Sequence, residues 1–148
     1  MLVKEVLREI VFTINYRATL KDAAYLIAVN GADSLIVVDN ENKVMGIITE
    51  QEIFKPKEQM EMNNDLLLGS LINLRNPQRF ISELAESADL PVTSAMIADV
   101  AMVKAEQDIK EAMQTIYKSQ LSVIPVVDDG EKLVGVVYQQ DVIKLIER

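Results

Sequence analysis

The 148-residue chain has no cysteine, no histidine and no tryptophan. Without the first two there are no disulfides, no thiolate nucleophile, no thiolate or imidazole metal ligand, and no member of the commonest acid–base type. Aromatic residues make up only 5%, so the core has to be aliphatic. No apolar run approaches the roughly 20 residues of a membrane span, and no signal-peptide pattern opens the chain. Membrane insertion is therefore not expected, and the cytoplasm is the expected location. Lysine and arginine number 15 against 23 acids, for a net charge of −8. They are scattered, whereas nucleic-acid phosphates demand clustered bases, so nucleic acid is not expected as a partner.

What is present is a soluble globular composition, 49% hydrophobic and 26% charged, in a length suited to one ordinary domain or two very small ones sharing a core. The chain also repeats itself. Shifted by 89 positions it aligns without a gap, from Val3 onto Val92 through Gln59 onto Arg148. VVDNENKVMGIITEQEIFK falls on VVDDGEKLVGVVYQQDVIK, with Val37/Val126, Val38/Val127, Asp39/Asp128, Lys43/Lys132, Gly46/Gly135 and Gln51/Gln140 identical. Ala23/Ala112 and Ile27/Ile116 extend the match upstream. The organisation follows: a first repeat over 1–59, a connecting segment over 60–91 and a second repeat over 92–148.

Each repeat reads alike. Leu20, Ala23, Ala24, Ile27 and Ala28 recur at helical spacing, with Thr19 as N-cap and Asn30-Gly31 as the stop. Ile109, Ala112, Met113 and Ile116 repeat this behind Asp108. Two short apolar runs follow, SLIVVD and KVMGIIT around Asn40-Glu41-Asn42, then SVIPVVD and KLVGVVY around Asp129-Gly130-Glu131, which predict hairpins. Short strands at Val11–Ile14 and Val100–Val103 precede the helices, and final helices are expected near Gln51–Lys55 and Gln140–Ile146. The fold class is α+β (mixed α/β), two β-α-β-β-α units. One unit cannot cover both faces of its sheet, so the pair packs back to back about a pseudo-twofold axis.

The connecting segment predicts two short amphipathic helices, Leu66–Leu74 and Phe80–Leu84, broken at Pro77. They are either a crossover packed on the module or a docking surface for a partner.

The order strand–helix–hairpin–helix, doubled, with Pro125-Val126-Val127-Asp128 leading one hairpin and Gly46-Ile47-Ile48-Thr49 closing the other, resembles the tandem CBS-domain pair, or Bateman module. The lead-ins VKEVL at Val3 and VTSAM at Val92 are similar to the family's as well. The resemblance covers both repeats. It implies a flat intramolecular pair that associates into a homodimer, clefts between repeats that hold AMP, ADP, ATP or S-adenosylmethionine, and regulation of a protein target the sequence does not name. No obligatory cofactor is implied.

In that family a Gly, two apolar residues, Thr or Ser, two variable residues and Asp close the last strand. The carboxylate accepts from the ribose hydroxyls and the hydroxyl suits phosphate oxygens. Here the first copy has Thr49 with Glu52 in place of Asp, and the second has Tyr138 in place of Thr with Asp141. Many nucleotide-binding members carry Arg before the Asp, where this chain has Gln51 and Gln140. A triphosphate is therefore ranked below AMP or S-adenosylmethionine, with Lys43, Lys55, Lys132 and Lys144 as sources of compensating charge. The base is expected beside Phe12, Thr13, Ala32 and Ser34 in one copy, and Ala101, Met102, Ser122, Ile124 and Pro125 in the other. Phe12, Met102 and Ile124 equally suit plain core positions.

The leading functional expectation is a ligand-sensing regulatory module acting on a separate partner. The alternative is a ligand-free dimerisation or interaction module with degenerate sites, which the split motifs favour. No nucleophile–base constellation is visible and no catalytic residue is assigned, so an enzyme is not expected. Metal sensing through Asp128, Asp129 and Glu131 competes with plain turn chemistry, and no metal site is assigned. Homodimerisation is expected because Leu26, Ile27, Val142, Ile143 and Ile146 would otherwise expose apolar helix faces.

Overall fold

The computed structural model describes residues 1–54 and 88–146. The two helices expected between Leu66 and Leu84, and Lys55, lie outside them. A 3-10 turn at Val3–Glu5 leads into β1 (Thr13–Asn15), α1 (Leu20–Asn30), β2 (Ser34–Val38), β3 (Val44–Thr49) and α2 (Glu50–Phe54). The second unit has a 3-10 turn at Val92–Ser94, β4 (Val103–Lys104), α3 (Ile109–Lys118), β5 (Val123–Val127), β6 (Leu133–Tyr138) and α4 (Gln139–Ile146). Lead-in turns and hairpin strands keep the sequence offset residue for residue.

Local chemistry sets these boundaries. Thr19 Oγ1 accepts from the Asp22 N–H (3.2 Å) while the Asp22 carboxylate accepts from the Thr19 N–H (3.0 Å), which closes a capping box on α1. Gly31 ends the helix at φ 62°, and its N–H donates to the Ile27 carbonyl. Asp108 caps α3 by accepting from the Lys110 N–H at 2.8 Å. In the hairpins Asp39 Oδ1 accepts from Glu41 and Lys43 N–H groups (2.8 and 2.9 Å), and Asp128 Oδ1 from Gly130 and Lys132 (2.9 and 3.0 Å). The residue in the left-handed region is Asn42 (φ 65°) or Glu131 (φ 64°), not Gly130. That is the three-residue hairpin loop, a turn followed by one left-handed residue.

Each sheet runs β1-β2-β3 or β4-β5-β6, with the first pair parallel across the long helix and the second antiparallel. The first strands form later than the apolar runs suggest. Val11 and Val100 pack between the two sheets instead of pairing. β4 is also one residue shorter than β1, and Pro125 explains it. The Ile36 N–H donates to the Phe12 carbonyl at 3.0 Å, and Pro125, at the equivalent place, has no N–H to offer Ala101.

Alternate residues of β2 and β5 face opposite ways. Leu35, Val37, Ile124 and Val126 meet the helices, whereas Ile36, Val38 and Val123 meet the other repeat. The helix-side cores are completed across the pair. Val92, Ala95 and Met96 fill the first repeat's core, and Val3, with Val6 and Leu7 around it, fills the second's. Backbone bonds fix the exchange: Val3 N–H to Gln107 (2.9 Å), Ile109 N–H to Met1 (2.9 Å), Val92 N–H to Ala18 (2.9 Å) and Leu20 N–H to Leu90 (2.8 Å). Ile97 bridges to Ile47 on β3 and Arg8 to Val136 on β6, while Lys43 pairs with Lys132 between the repeats. These contacts obey one pseudo-twofold axis. Among the described residues no helix is long and apolar enough to cross a membrane.

The apolar surface differs from expectation. Val142 (1% exposed) and Ile27 (7%) are buried, because they belong to the stripes that face the sheets. Leu26 is half-buried against the first core, Ile143 is exposed as expected, and the Ile146 side chain lies outside the described set. Tyr25, Val29 and Tyr117 are the large apolar side chains that α1 and α3 turn to solvent.

Candidate functional site

β6 passes into α4 with no loop, so Tyr138 ends a strand and Asp141 stands in the first turn of the helix that follows. Gln139 fixes that junction. Its N–H donates to the Ser122 carbonyl at 2.9 Å, and its side-chain amide donates to the Ile116 and Ser119 carbonyls at 3.0 and 3.1 Å. The same amide satisfies the end of α3, which has no glycine cap.

The lead-in segment brings a cation to this place. The Arg8 N–H donates to the Val136 carbonyl (2.8 Å) and the Arg8 carbonyl accepts from the Val136 N–H (3.0 Å). From that anchored backbone the guanidinium donates through Nε and Nη2 to both Asp141 oxygens, each at 2.9 Å. Its carbon lies 4.6 Å from the Tyr138 ring centroid. The hydrogen bond to Asp141, and then its charge, raise the Arg8 pKa above its ordinary value, so the group stays cationic. The Arg8 side chain is 56% exposed and that of Asp141 19%. Tyr138 and Asp141 therefore sit against the first repeat's lead-in, with the carboxylate already engaged.

The first repeat is built differently. The Glu52 carboxylate turns back and accepts from the Thr49 N–H at 2.8 Å and from the Thr49 hydroxyl. It caps α2. The equivalent of Arg8 is Ile97, which makes the same backbone bridge, to Ile47, but carries no charge.

The residues expected around the base are dispersed. Ser34 is half-buried opposite Thr49, and Ser122 is exposed beside the Gln139 junction. Phe12 (39% exposed) and Met102 (41%) lie at the starts of β1 and β4 with Thr13 and Ala101. Met102 opens onto a groove of about 560 Å³ along β4 with Lys104, Glu106 and Glu131. Pro125 is buried opposite Val136. Ile124 is fully buried in the second repeat's helix-side core, because strand alternation turns it away from the other repeat. Ala32 is buried in the first core and borders an outer groove of about 340 Å³ between α1 and α2. Of the basic residues offered as compensating charge, Lys43 pairs with Glu41 at 3.6 Å. Among the described residues no group of three metal-ligating side chains is placed to hold an ion, and Asp128 is engaged by its own turn.

Arg8 and Gln139 were not picked out from sequence. Arg8 is 133 positions from Asp141, so only the fold joins them. The internal repeat does carry a trace of it: an arginine aligned with Ile97 marks the one lead-in that departs from apolar character at this register.

The geometry agrees with comparisons to known proteins. The CBS domain family model matches residues 3–56 and 89–148. An uncharacterized protein of Methanopyrus kandleri is 26% identical over 143 residues, which is 97% of this chain and 61% of that protein. A solved CBS domain-containing protein of unknown function from Bacillus anthracis superposes with a TM-score of 0.75 at 17% identity, over 99% of this chain and 93% of the other. A Methanocaldococcus jannaschii structure, described as a proposed archaeal homolog of g-AMPK, gives a TM-score of 0.73 at 25% identity, over 99% of this chain and 50% of its own length. The chain thus spans 61% and 50% of the length of two of these proteins, less than two thirds of each.

Proposed function

The chain belongs to the CBS-domain family, and on that footing we propose that it is a regulatory module that senses an adenosyl compound, AMP, ADP, ATP or S-adenosylmethionine, between its repeats. It catalyses nothing itself and transmits occupancy to a separate protein. The observation that carries this reading is the cluster at the second motif. Asp141, at the ribose position, is bound by a residue of the other repeat's lead-in, so anything that takes Asp141 changes a contact between the repeats. The likeness to a proposed g-AMPK homolog points the same way. A second copy of the chain covering the exposed Tyr25, Val29, Tyr117 and Ile143 is part of this proposal.

A second reading has its own support. Both motif carboxylates already have internal partners, as an empty interaction module would require.

Thermal unfolding against AMP, ADP, ATP, S-adenosylmethionine and guanine nucleotides separates the two. A ligand specific for the native state at a hundredfold excess over Kd adds about 2.7 kcal/mol, several degrees for a chain of this size. A shift by an adenosyl compound, lost in Asp141→Ala, is the expected result. A flat response across the panel supports the empty module.

A further inference from the structure

We propose that the second copy of the chain seats head to tail, Tyr117 of each copy entering the groove that the other presents between α1 and α2. The inference rests on the second-copy reading made above and fixes how that copy is oriented. The groove encloses about 340 Å³ and is lined by Ala24, Ala28 and Gly31 with Ile27 and Ile53, while Asp33 and Glu50 border it. Comparing the repeats shows that small residues, not the fold, open this space. Shifted by 89 positions, Ala24 becomes Met113, Ala28 becomes Tyr117 and Glu50 becomes Gln139. The Gln139 amide crosses from the β6–α4 junction to the Ile116 and Ser119 carbonyls at 3.0 and 3.1 Å. Tyr117 stands 56% exposed on α3. At one register, then, the first repeat presents a hollow and the second a projecting ring.

Charge divides the same way. α1 and α2 carry Lys21 against Asp22, Glu50 and Glu52, and Asp33 stands beside the groove. α3 and α4 carry Lys110, Lys118 and Lys144 against Glu111 and Asp141, and Arg8 already pairs with Asp141. Lys118 adjoins Tyr117, and Lys144 adjoins the exposed Ile143. A twofold axis can face each repeat with its own copy or with the other repeat. The first arrangement sets groove against groove, ring against ring and like charge against like charge, which is repulsive. The second puts a tyrosine into each groove and lysines beside Asp33 and Glu50, and the symmetry makes every such contact twice. An aromatic side chain seated in a pocket is the usual anchor of a protein interface. The same arrangement turns Tyr25 and Val29 of α1 toward the α3–α4 face, where Ile143 is exposed.

The chain has no cysteine, so single introduced cysteines report the arrangement without background. Full-length Ala28→Cys and Gln114→Cys proteins, both altered at exposed positions, are treated with a short bismaleimide crosslinker, separately and mixed. The mixture is expected to give a crosslinked dimer that neither variant gives alone. Crosslinking of either variant alone as efficiently as the mixture means that like repeats face each other, and overturns the proposal. Sedimentation equilibrium then tests the seat itself. Tyr117→Ala, which removes the ring, and Ala28→Trp, which fills the groove, should each weaken the dimer roughly tenfold or more. Both positions are exposed in the single chain, and an unchanged melting profile at a concentration where both proteins are monomeric checks that the fold is kept. A wild-type dimer that neither substitution weakens overturns the groove as the seat and leaves dimerisation standing. A wild-type chain that stays monomeric at every concentration overturns the second-copy reading as well, and leaves the groove to residues 55–87 or to a different protein.

Discussion

A Cβ on Gly135 would stand 2.6 Å from the Arg8 carbonyl oxygen and 2.8 Å from a Leu7 methyl. On Gly46 it would stand 2.6 Å from the Ile97 carbonyl and 2.9 Å from the Met96 sulfur. These two glycines are the gaps through which the lead-in segments reach the sheet edges. That is a packing reason for a residue whose motif position suggests only a ligand. Gly135→Ala forces backbone to move, because a carbonyl, unlike a flexible side-chain end, cannot rotate away. It should cost about 1–3 kcal/mol and lower the urea midpoint with an unchanged slope. Gly130→Ala is the control. Its Cβ meets only Asp128 Oδ1 at 3.4 Å and its φ is not positive, so its effect should stay within roughly 0.5 kcal/mol.

At the scale of the element, α1 begins on a pair of reciprocal hydrogen bonds that depends on charge. The Thr19 backbone N–H, and then its hydroxyl contact, hold the Asp22 carboxyl below the usual carboxylate range. A depressed folded pKa means that this contribution is fully present above the unfolded pKa, about 4, and is lost as pH falls through the folded value. Asp22→Asn should therefore flatten part of the acid limb in a plot of melting temperature against pH, and leave the limb above pH 6 in shape unchanged. Equal acid limbs in the two proteins would remove Asp22 from the titration. Elements of this kind were legible in sequence, since Thr19, Gly31, Asp108 and the apolar spacing of α1 and α3 act within a few residues. β1 and β4 were not. Their start depends on whether a partner in β2 or β5 offers an N–H, and Ile36 does where Pro125 cannot. The site divides along the same line. The motif places Tyr138 and Asp141 at one junction, but the slot the resemblance implies beside the first strand and the start of the hairpin includes Ile124, which strand alternation sends to the helix-side core. Arg8 reaches Asp141 only through the pairing of two lead-ins, which no local pattern encodes.

For the molecule as a whole, the exchange of lead-in segments means that neither repeat owns a complete core. Val3 is fully buried among Val103, Ile116, Val126 and Val137, although it belongs by sequence to the first repeat. Val92 is fully buried among Leu20, Leu35 and Ile48. A cavity at either place should loosen the repeat that is distant in sequence. Val3→Ala and Val92→Ala should each cost roughly 1–3 kcal/mol, and native-state hydrogen exchange should locate the loss. Val3→Ala is expected to lower protection first in β5 and β6, and Val92→Ala first in β2 and β3. If each variant instead loosened its own repeat, the lead-ins would be accessory and the cores self-sufficient.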